Sequence, residues 1–338
     1  MEILKDYSLK SLNTFGLNVD AKYFIRVASL VDIREIDRFI KIKKLPYLFI
    51  GGGSNVLFTK NFNGLVIKID LRGIEIVDED ARHVFVKAAS GENWDEFVRY
   101  CVNHNYVGIE NLSLIPGSVG ASPIQNIGAY GVEMKDFFYE VEFYDLTDGS
   151  VKNFKKADCH FGYRSSIFKN ELKGKVVILS VTFRLNKKPF FKTDYGVIKD
   201  ELKKLGVKEL AAKAIREAVI NIRRRKLPDT EIIGNAGSFY KNPVVTAEKH
   251  NEIKSAFPSL VSFLQSDGTY KLAAGWLIEQ CGWKGKRIQD AGVHDKQALV
   301  LVNYGNATGE DILELSEKIK SSVFERFGVE LEREVNVV

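Results

Sequence analysis

The residues best suited to chemistry lie in the turn Asn-Ala-Gly-Ser-Phe-Tyr-Lys-Asn-Pro, which runs from residue 235 to 243. This turn presents the hydroxyl of Ser238 between an amide-rich flank and a lysine. A serine could serve as an acid or as a nucleophile, and a nucleophile needs a base beside it. No histidine–aspartate partnership is visible around Ser238, and the motif Gly-x-Ser-x-Gly is absent. Hydrolase chemistry is therefore disfavoured.

A second candidate is the segment from Ile115 to Gly131, which holds four glycines and two prolines yet keeps several apolar residues. Such a composition predicts a packed loop with an accessible backbone. Backbone access combined with short polar side chains suits a flat, polar-edged ligand such as a flavin with its pyrophosphate tail. An elaborate structural turn would have the same composition, and spacing alone does not choose between the two. The short polar side chains are Ser118, Ser122, Gln125 and Asn126.

The third candidate is the loop Gly51-Gly52-Gly53-Ser54-Asn55, which we call the glycine loop. A dinucleotide fingerprint requires a helix after the glycines, but the residues from Val56 onward have the pattern of a strand. A Walker lysine is also missing. Three successive positions without a Cβ atom would still let backbone amides wrap a pyrophosphate closely. A strand connection that is rich in glycine for conformational reasons alone is the alternative.

Charged residues add three further candidates. Arg164 follows Tyr163 and precedes two serines, so its planar guanidinium could pair with a carboxylate. The basic cluster of residues 223–226 could hold a phosphorylated small molecule, or could simply complement a helix dipole. Glu334 lies among apolar neighbours near the carboxyl end of the chain, where either a strand edge or a buried acid would fit.

The elements that must position these residues follow from hydrophobic spacing. A helix from Ser29 to about Lys44 has apolar residues at helical intervals and a capping-box pattern at its start. Further helices are predicted for residues 94–101, 210–226, 272–281 and 312–323. Strands are predicted for residues 47–50, 56–58, 65–69, 84–88, 175–183 and 298–302, with a hairpin formed by 141–144 and 151–154. This order indicates an α+β fold, not a regular βαβ alternation.

Composition narrows the class of protein. The 338 residues are 45% hydrophobic, which is enough for more than one domain. A modest net charge of +5 with mixed signs argues against dedicated nucleic-acid binding. No apolar run is long enough to span a membrane, and the amino terminus lacks a signal peptide, so we expect a cytoplasmic protein without membrane insertion. The three cysteines and five histidines show no metal-ligand spacing, so no metal is assigned.

Together these motifs resemble the UDP-N-acetylenolpyruvoylglucosamine reductase family, flavoenzymes of peptidoglycan precursor synthesis. The resemblance runs through nearly the whole chain. It is carried by residues 12–16, 51–55, 115–131, 161–164, 226–229, 235–243, 272–278, 297–301 and 334–335. The segment 193–196, Thr-Asp-Tyr-Gly, is similar to the subclass with a tyrosine loop over the nucleotide sugar. Arg333 stands where many relatives have proline, and Ser118 and Ala121 differ from some members of the family; these departures concern the loop geometry and not the reaction.

The family resemblance implies an α+β fold of the vanillyl-alcohol-oxidase type (PCMH-like), with FAD between two subdomains and a C-terminal substrate domain. The expected segments are 1–70 and 71–200 for FAD, 201–325 for substrate, and 326–338 as a strand returning to the active site. It also implies a reaction in which NADPH reduces non-covalent FAD, and flavin N5 then passes hydride to the enolpyruvyl methylene carbon. Ser238 would protonate the neighbouring carbon. Arg164 and a protonated Glu334 would stabilise the charge on the enolate-like intermediate.

Further site residues are carried over from the family in the same way. Those expected to bind the cofactor are Gly51, Gly52, Gly53, Ser54, Asn55, Pro116, Gly117, Ser122, Gly128, Tyr130 and Ile178. Those expected to bind the nucleotide sugar are Tyr163, Tyr195, Lys226, Asn242 and Gln297. The expected partners are the UDP-sugar and NADPH, and the protein is expected to be monomeric.

Two other functions compete with this interpretation. Another flavin enzyme on the same fold, acting on a small hydroxy acid or alcohol, would keep the glycine-rich loops but would not need Ser238 with Arg164 and Glu334. A nucleotide-sugar sensor without turnover would use the basic cluster. Reduction of bound flavin by NADPH separates an enzyme from such a sensor.

Overall fold

The computed structural model describes residues 2–338, in which helices and short strands are mixed. In chain order they are β1 Leu4–Ser8, β2 Asp20–Val27, α1 Leu30–Lys43, β3 Tyr47–Ile50, β4 Val56–Leu57, β5 Phe62–Ile69, β6 Ile74–Glu79, β7 His83–Ala89, α2 Trp94–Asn103, β8 Gly128–Ala129, β9 Val132–Glu133, β10 Phe138–Asp145, β11 Val151–Lys155, β12 Val176–Asn186, α3 Gly196–Lys204, α4 Ala212–Lys226, β13 Gly234–Ser238, β14 Val244–Val245, α5 Ala247–Ala256, β15 Ser262–Leu264, β16 Tyr270–Leu272, α6 Ala274–Gln280, β17 Arg287–Ile288, β18 Ala291–Val293, β19 Val300–Asn303, α7 Gly309–Phe327 and β20 Asn336–Val337. Within the described residues, none of these helices has the length and apolarity of a membrane span.

The described residues divide into two compact units. Unit 1 comprises residues 2–7, 21–53 and 62–224, and unit 2 comprises residues 8–20, 54–61 and 225–338. The chain passes from one unit to the other inside the glycine loop, after Gly53. The four segments predicted from the sequence do not coincide with these units, since residues 8–20 and 54–61 belong to unit 2 and residues 201–224 to unit 1. The predicted boundaries stay predictions.

The first sheet of unit 1 carries the glycine loop at one strand end. Its order is β1-β2-β5-β3, and the β2–β5 and β5–β3 pairs are parallel. Helix α1 packs its buried isoleucines against this sheet. The helix begins where the sequence predicts, because Ser29 Oγ accepts the Asp32 N–H while the Asp32 carboxylate accepts the Ser29 N–H. It ends at Lys44, whose φ of 50° is left-handed.

The second sheet of unit 1 is antiparallel, with the order β11-β10-β12-β7-β6. The predicted hairpin is confirmed as β10 and β11, with Val141 opposite Phe154. Helix α2 covers the sheet through Trp94 and Phe97, whose rings lie 5.7 and 5.0 Å from that of Phe183. This aromatic cluster supports the loop that follows α2.

Unit 2 contains small sheets and three helices. Its sheets have the orders β13-β19-β18-β17, β14-β16-β15 and β20-β4. Helix α7 is capped by Thr308, which shares a capping box with Asp311, and it ends at the left-handed Gly328. The predicted helix over residues 312–323 is thus confirmed and extended at both ends.

Two predicted helix boundaries were wrong. Helix α4 begins at Ala212, and Leu210 precedes it with 46% of its surface exposed. Leu272 belongs to strand β16, where it pairs with Ser262, and α6 starts only at Ala274. The apolar run of residues 272–278 cannot by itself mark the change from strand to helix, because that change is set by pairing with neighbouring strands.

Candidate functional site

The glycine loop leaves β3 and meets the 115–131 segment backbone to backbone. A Cβ atom on Gly52 would lie 3.0 Å from Gly117 Cα, and one on Gly51 would lie 2.3 Å from Ser118 Oγ. Gly53 has a φ of +65° and Gly117 a φ of +119°, which side chains rarely adopt. Within unit 1 the two loops therefore form a cradle of main-chain atoms. Such an approach is what close binding of a phosphate chain to backbone amides requires.

The 115–131 segment is held by main-chain hydrogen bonds to the β7–α2 connection. The Val119 N–H donates to Glu92 O over 2.8 Å, and the Gly120 N–H donates to Ser90 O over 2.9 Å. Ser122, which was predicted to bind cofactor, is buried and donates its hydroxyl to Val119 O over 2.7 Å. Its hydroxyl thus shapes the loop from within.

Arg164 lies in a tight turn that contacts the same segment. Gly162 and Ser165 exchange main-chain hydrogen bonds across the turn, and Arg164 has a left-handed φ of 52°. Its guanidinium donates to Gly128 O over 2.8 Å and lies 5.5 Å from the ring centre of Tyr163. Arg164, Tyr163 and the predicted flavin loop are therefore one assembly within unit 1.

Tyr130 and Tyr195 meet edge to face at the other end of this loop, with ring centres 5.8 Å apart. The amide of Asn111 donates to Tyr130 O over 3.1 Å and to Lys192 O over 2.8 Å. The tyrosine segment is thereby tied to the loop by a fully buried side chain. Sequence reasoning missed Asn111, because a single buried asparagine has no distinctive pattern.

A largely buried ion pair supports the start of the loop. Arg216 of α4 donates two hydrogen bonds to Asp95, at 2.6 and 2.8 Å, and Asp95 also accepts the Leu114 N–H. Burial raises the pKa of Asp95, but the hydrogen bonds from Arg216 and Leu114 outweigh it and leave the pKa below 3.8. No local sequence pattern marks this pair, since its members are 121 positions apart.

The basic cluster does not act as one patch. Arg223 points inward and donates its Nε–H to Leu114 O over 3.2 Å. Burial lowers the pKa of Arg223, although Tyr130 and Asp95 act to raise it. The next three residues, including Lys226, are exposed at the end of α4. Ile178, predicted to contact cofactor, lies in β12 and is only 7% exposed within the hydrophobic core of unit 1.

In unit 2, main-chain pairing brings Ser238 close to Glu334. Ser238 pairs with Val300 of β19, and the next residue, Phe239, accepts the Glu334 N–H over 2.8 Å. Asn55, from the end of the glycine loop, donates to Glu334 O over 3.3 Å. Three residues that the sequence singled out separately are therefore joined in one unit, whereas Arg164 belongs to the other.

The Ser238 turn has a rigid frame. Gly237 has a φ of +67°, and its N–H donates to the side chain of the buried Asn235 over 3.0 Å. Within unit 2, the Ser238 hydroxyl has no hydrogen-bond partner. A half-buried hydroxyl on a fixed backbone is what a proton donor to a bound ligand needs.

Asn242 and Gln297 converge on the first turn of α6. Asn242 Oδ1 accepts the Ala274 N–H over 3.0 Å, and a Cβ atom on Gly275 would lie 3.0 Å from Gln297 Oε1. Both amides were predicted to bind the nucleotide sugar. The structure gives them a common location, with Asn242 also substituting for the absent side-chain cap of α6.

Comparisons with known proteins agree with this architecture. Residues 21–155 match a family model described as FAD binding domain, and residues 228–338 match the model for UDP-N-acetylenolpyruvoylglucosamine reductase, C-terminal domain. A protein of that reductase name from Amoebophilus asiaticus is 47% identical over 100% of both chains. One from Pseudomonas putida is 49% identical over 98% of this chain and 97% of its own.

A crystal structure of UDP-N-acetylenolpyruvylglucosamine reductase from Thermus caldophilus has the same fold. Its TM-score is 0.68 at 23% sequence identity, covering 99% of this chain and 98% of that one. The α+β FAD-binding fold with a C-terminal α+β domain, predicted from the sequence, is confirmed.

Proposed function

Because the chain belongs to the UDP-N-acetylenolpyruvoylglucosamine reductase family, we propose that it reduces UDP-N-acetylglucosamine enolpyruvate to UDP-N-acetylmuramate with NADPH. It is an FAD-dependent oxidoreductase. The observation that carries the finer proposal lies in unit 2, where Glu334 hydrogen-bonds both to Asn55 and to Phe239, the residue that follows Ser238. A flavin enzyme for another substrate would not need this combination.

The residues present fit FAD. A Cβ atom on Gly51 or Gly52 would collide with the 115–131 segment, so the glycines keep the main chain of both loops close together, and a pyrophosphate held by their amides suits this arrangement. Tyr130 and Gly128 would hold the ring system, with Pro116 beside them and Asn55 at the end of the glycine loop. When bound, FAD would supply the two-electron chemistry that carries a hydride from NADPH to the methylene carbon of the enolpyruvyl ether.

Ser238 holds the proton that completes the reduction. After hydride reaches the methylene carbon, the adjacent carbon is carbanionic and is a far stronger base than a serine alkoxide. An unactivated hydroxyl at the correct distance can therefore protonate it, which explains the absence of a histidine partner. Solvent then returns a proton to the serine oxygen.

Arg164 and Glu334 stabilise the negative charge that builds on that carbon and on its carboxylate. The planar guanidinium of Arg164 suits a carboxylate, and Glu334 in its protonated form donates a hydrogen bond. Loss of one such donor typically costs on the order of a hundredfold in rate. Their backbone positions are fixed by the Gly162–Ser165 turn and by the pairing of Glu334 with Phe239.

We assign Tyr163, Tyr195, Lys226, Asn242 and Gln297 to the nucleotide sugar. The exposed ammonium of Lys226 suits a phosphate, and the two amides at the first turn of α6 suit hydroxyl or uracil groups. NADPH and the UDP-sugar would bind in turn. Cytoplasmic localisation and a monomeric state are parts of the same proposal.

An absorption experiment tests the proposal. Purified protein should be yellow, lose its flavin absorbance when NADPH is added without oxygen, and regain it with the enolpyruvyl substrate. Bleaching by NADPH without recovery would favour another flavin oxidoreductase. Protein that remains colourless after incubation with FAD would refute the assignment altogether.

A further inference from the structure

Lys68 lies beneath the start of the glycine loop. It is near the end of β5, and the parallel register sets it opposite Ile50, the last residue of β3. Its Nζ donates a hydrogen bond of 2.7 Å to the carbonyl oxygen of Gly51, the first loop residue. The ammonium is thereby fixed at the strand end from which the loop departs.

This ammonium has N–H donors that the bond to Gly51 does not use. A lysine has three N–H donors, and only the bond to Gly51 is formed within unit 1. The nearest carboxylate oxygen, on Asp70, is 3.8 Å away, which is beyond hydrogen-bond distance. The Lys68 side chain is only 13% exposed, so water reaches it poorly. A nearly buried cation with uncommitted donors is costly unless an anion joins it.

The charges around Lys68 also leave a positive excess. Asp70 is shared with Arg26 at 2.8 Å and with Arg72 at 3.4 Å, so three cations face one carboxylate. Arg72 has a second acidic neighbour, Glu92, at 3.6 Å. The cluster therefore holds three cations and two carboxylates. Burial lowers the pKa of Lys68, and the two arginines lower it further, while Asp70 raises it.

We propose that Lys68 binds the pyrophosphate of FAD, donating its remaining N–H groups to phosphate oxygens while Gly51 holds it in place. The inference rests on the proposed function, because it takes the glycine loop as the pyrophosphate site. The loop supplies main-chain amides, and Lys68 supplies the charge that the loop lacks. This lysine comes from a neighbouring strand and not from the loop, unlike a Walker lysine.

The test measures FAD retention. Purified protein is incubated with FAD and ultrafiltered across a dilution series, and the dissociation constant is obtained from flavin in the filtrate. Lys68→Met, which keeps the length and removes the charge, should raise that constant by about ten- to a hundredfold. Lys68→Arg should remain within about threefold of wild type. Circular dichroism confirms that each variant is folded.

Arg72→Met is the matched control, because it removes a positive charge from the same Asp70 cluster at a side chain that is 57% exposed. It should change FAD affinity by less than about threefold. The salt dependence of FAD binding shows whether Lys68 contributes its charge or only supports the loop. The slope of log Kd against log salt should be shallower in Lys68→Met than in wild type, because one ion pair has been removed.

Each outcome decides the question. Equal affinities of Lys68→Met and Arg72→Met would overturn the inference and leave the proposed function standing. A weaker Lys68→Met with an unchanged salt slope would assign Lys68 to loop support only, which also overturns it. Failure of the wild-type protein to retain FAD at all would overturn the proposed function and the inference together.

Discussion

Replacing Ser238 with alanine removes one oxygen and leaves the frame of the turn intact. The main-chain pairing of Ser238 with Val300 remains, as does the left-handed Gly237 beside it. No hydrogen bond of the hydroxyl is lost within unit 2. The free energy of unfolding should therefore change by less than about 0.5 kcal/mol.

The kinetic effect should be large and confined to one half-reaction. Hydride transfer from NADPH does not use the serine, so flavin bleaching should proceed at the wild-type rate. Recovery of absorbance with the enolpyruvyl substrate should slow by about 10²- to 10⁴-fold, the usual contribution of a positioned proton donor. That factor corresponds to about 3 to 5 kcal/mol of activation free energy.

Stopped-flow absorbance resolves the two steps, with NADPH mixed first and the substrate second. Ser321→Ala, at an exposed position of α7, is the matched control and should leave both rates unchanged. Equal recovery rates for Ser238→Ala and wild type would refute the role of the serine. A parallel loss in both half-reactions would show that the variant disturbs the flavin site instead.

Three other changes should have distinct effects. Asp95→Asn should lower the free energy of unfolding by about 2 to 3 kcal/mol at neutral pH, because it leaves Arg216 largely buried without its charge partner. Folding lowers the pKa of Asp95, so the carboxylate contributes its full stabilisation above the ordinary pKa of 3.8 and loses it as the pH falls through the folded pKa. The difference in the free energy of unfolding between wild type and variant should therefore shrink in acid. Deletion of Asn336–Val338 should weaken FAD retention by about tenfold, because Asn336 donates from its main chain and its side chain to Asn55 O. Tyr195→Ala should raise KM for the UDP-sugar severalfold and change the free energy of unfolding by less than about 0.5 kcal/mol, since Tyr195 is 46% exposed.

Chemical denaturation, FAD ultrafiltration and steady-state kinetics measure these effects in turn. Glu96→Gln, in an exposed pair with Arg99, is the control for the ion pair and should cost under about 1 kcal/mol. If it cost as much as Asp95→Asn, burial would not be the reason for the effect. Full FAD retention by the shortened chain would remove the C-terminal residues from the cofactor site. An unchanged KM in Tyr195→Ala would remove that ring from the substrate site.

Local signals in the sequence were sufficient for much of the fold. The capping box at Ser29, the hairpin pattern of residues 141–144 and 151–154 and the helical spacing from Ile312 to Val323 each predicted an element that the structure contains. They succeeded because cap chemistry and apolar periodicity act over a few residues. Leu272 was assigned wrongly because its state depends on pairing with Ser262 and on the Leu272 N–H donating to Pro243 O. Such pairing leaves no trace within a short apolar run.

In the candidate site, too, local sequence signals identified residues, while long-range pairing determined their contacts. Motif resemblance singled out Ser238, Glu334 and the glycine loop, whereas the contacts that join them come from strand pairing between distant segments. Lys68 was missed for this reason: a lysine in an apolar strand has the pattern of a solvent-facing residue. Only the parallel register of β5 with β3 places it against Gly51.

Because main-chain hydrogen bonds hold Ser238 and Glu334 in place, variants of their side chains can measure the contribution of a single chemical group. Ser238 and Glu334 are located by backbone pairs, so replacement of either side chain leaves the position of its neighbour unchanged. A rate change in such a variant can then be attributed to the missing group. Asn55 differs, because it holds the end of the glycine loop through its side-chain amide on Glu334 O and its carbonyl with Asn336. Substitution of Asn55 would therefore alter cofactor binding and catalysis together, and Ser238 is the position at which proton donation can be measured alone.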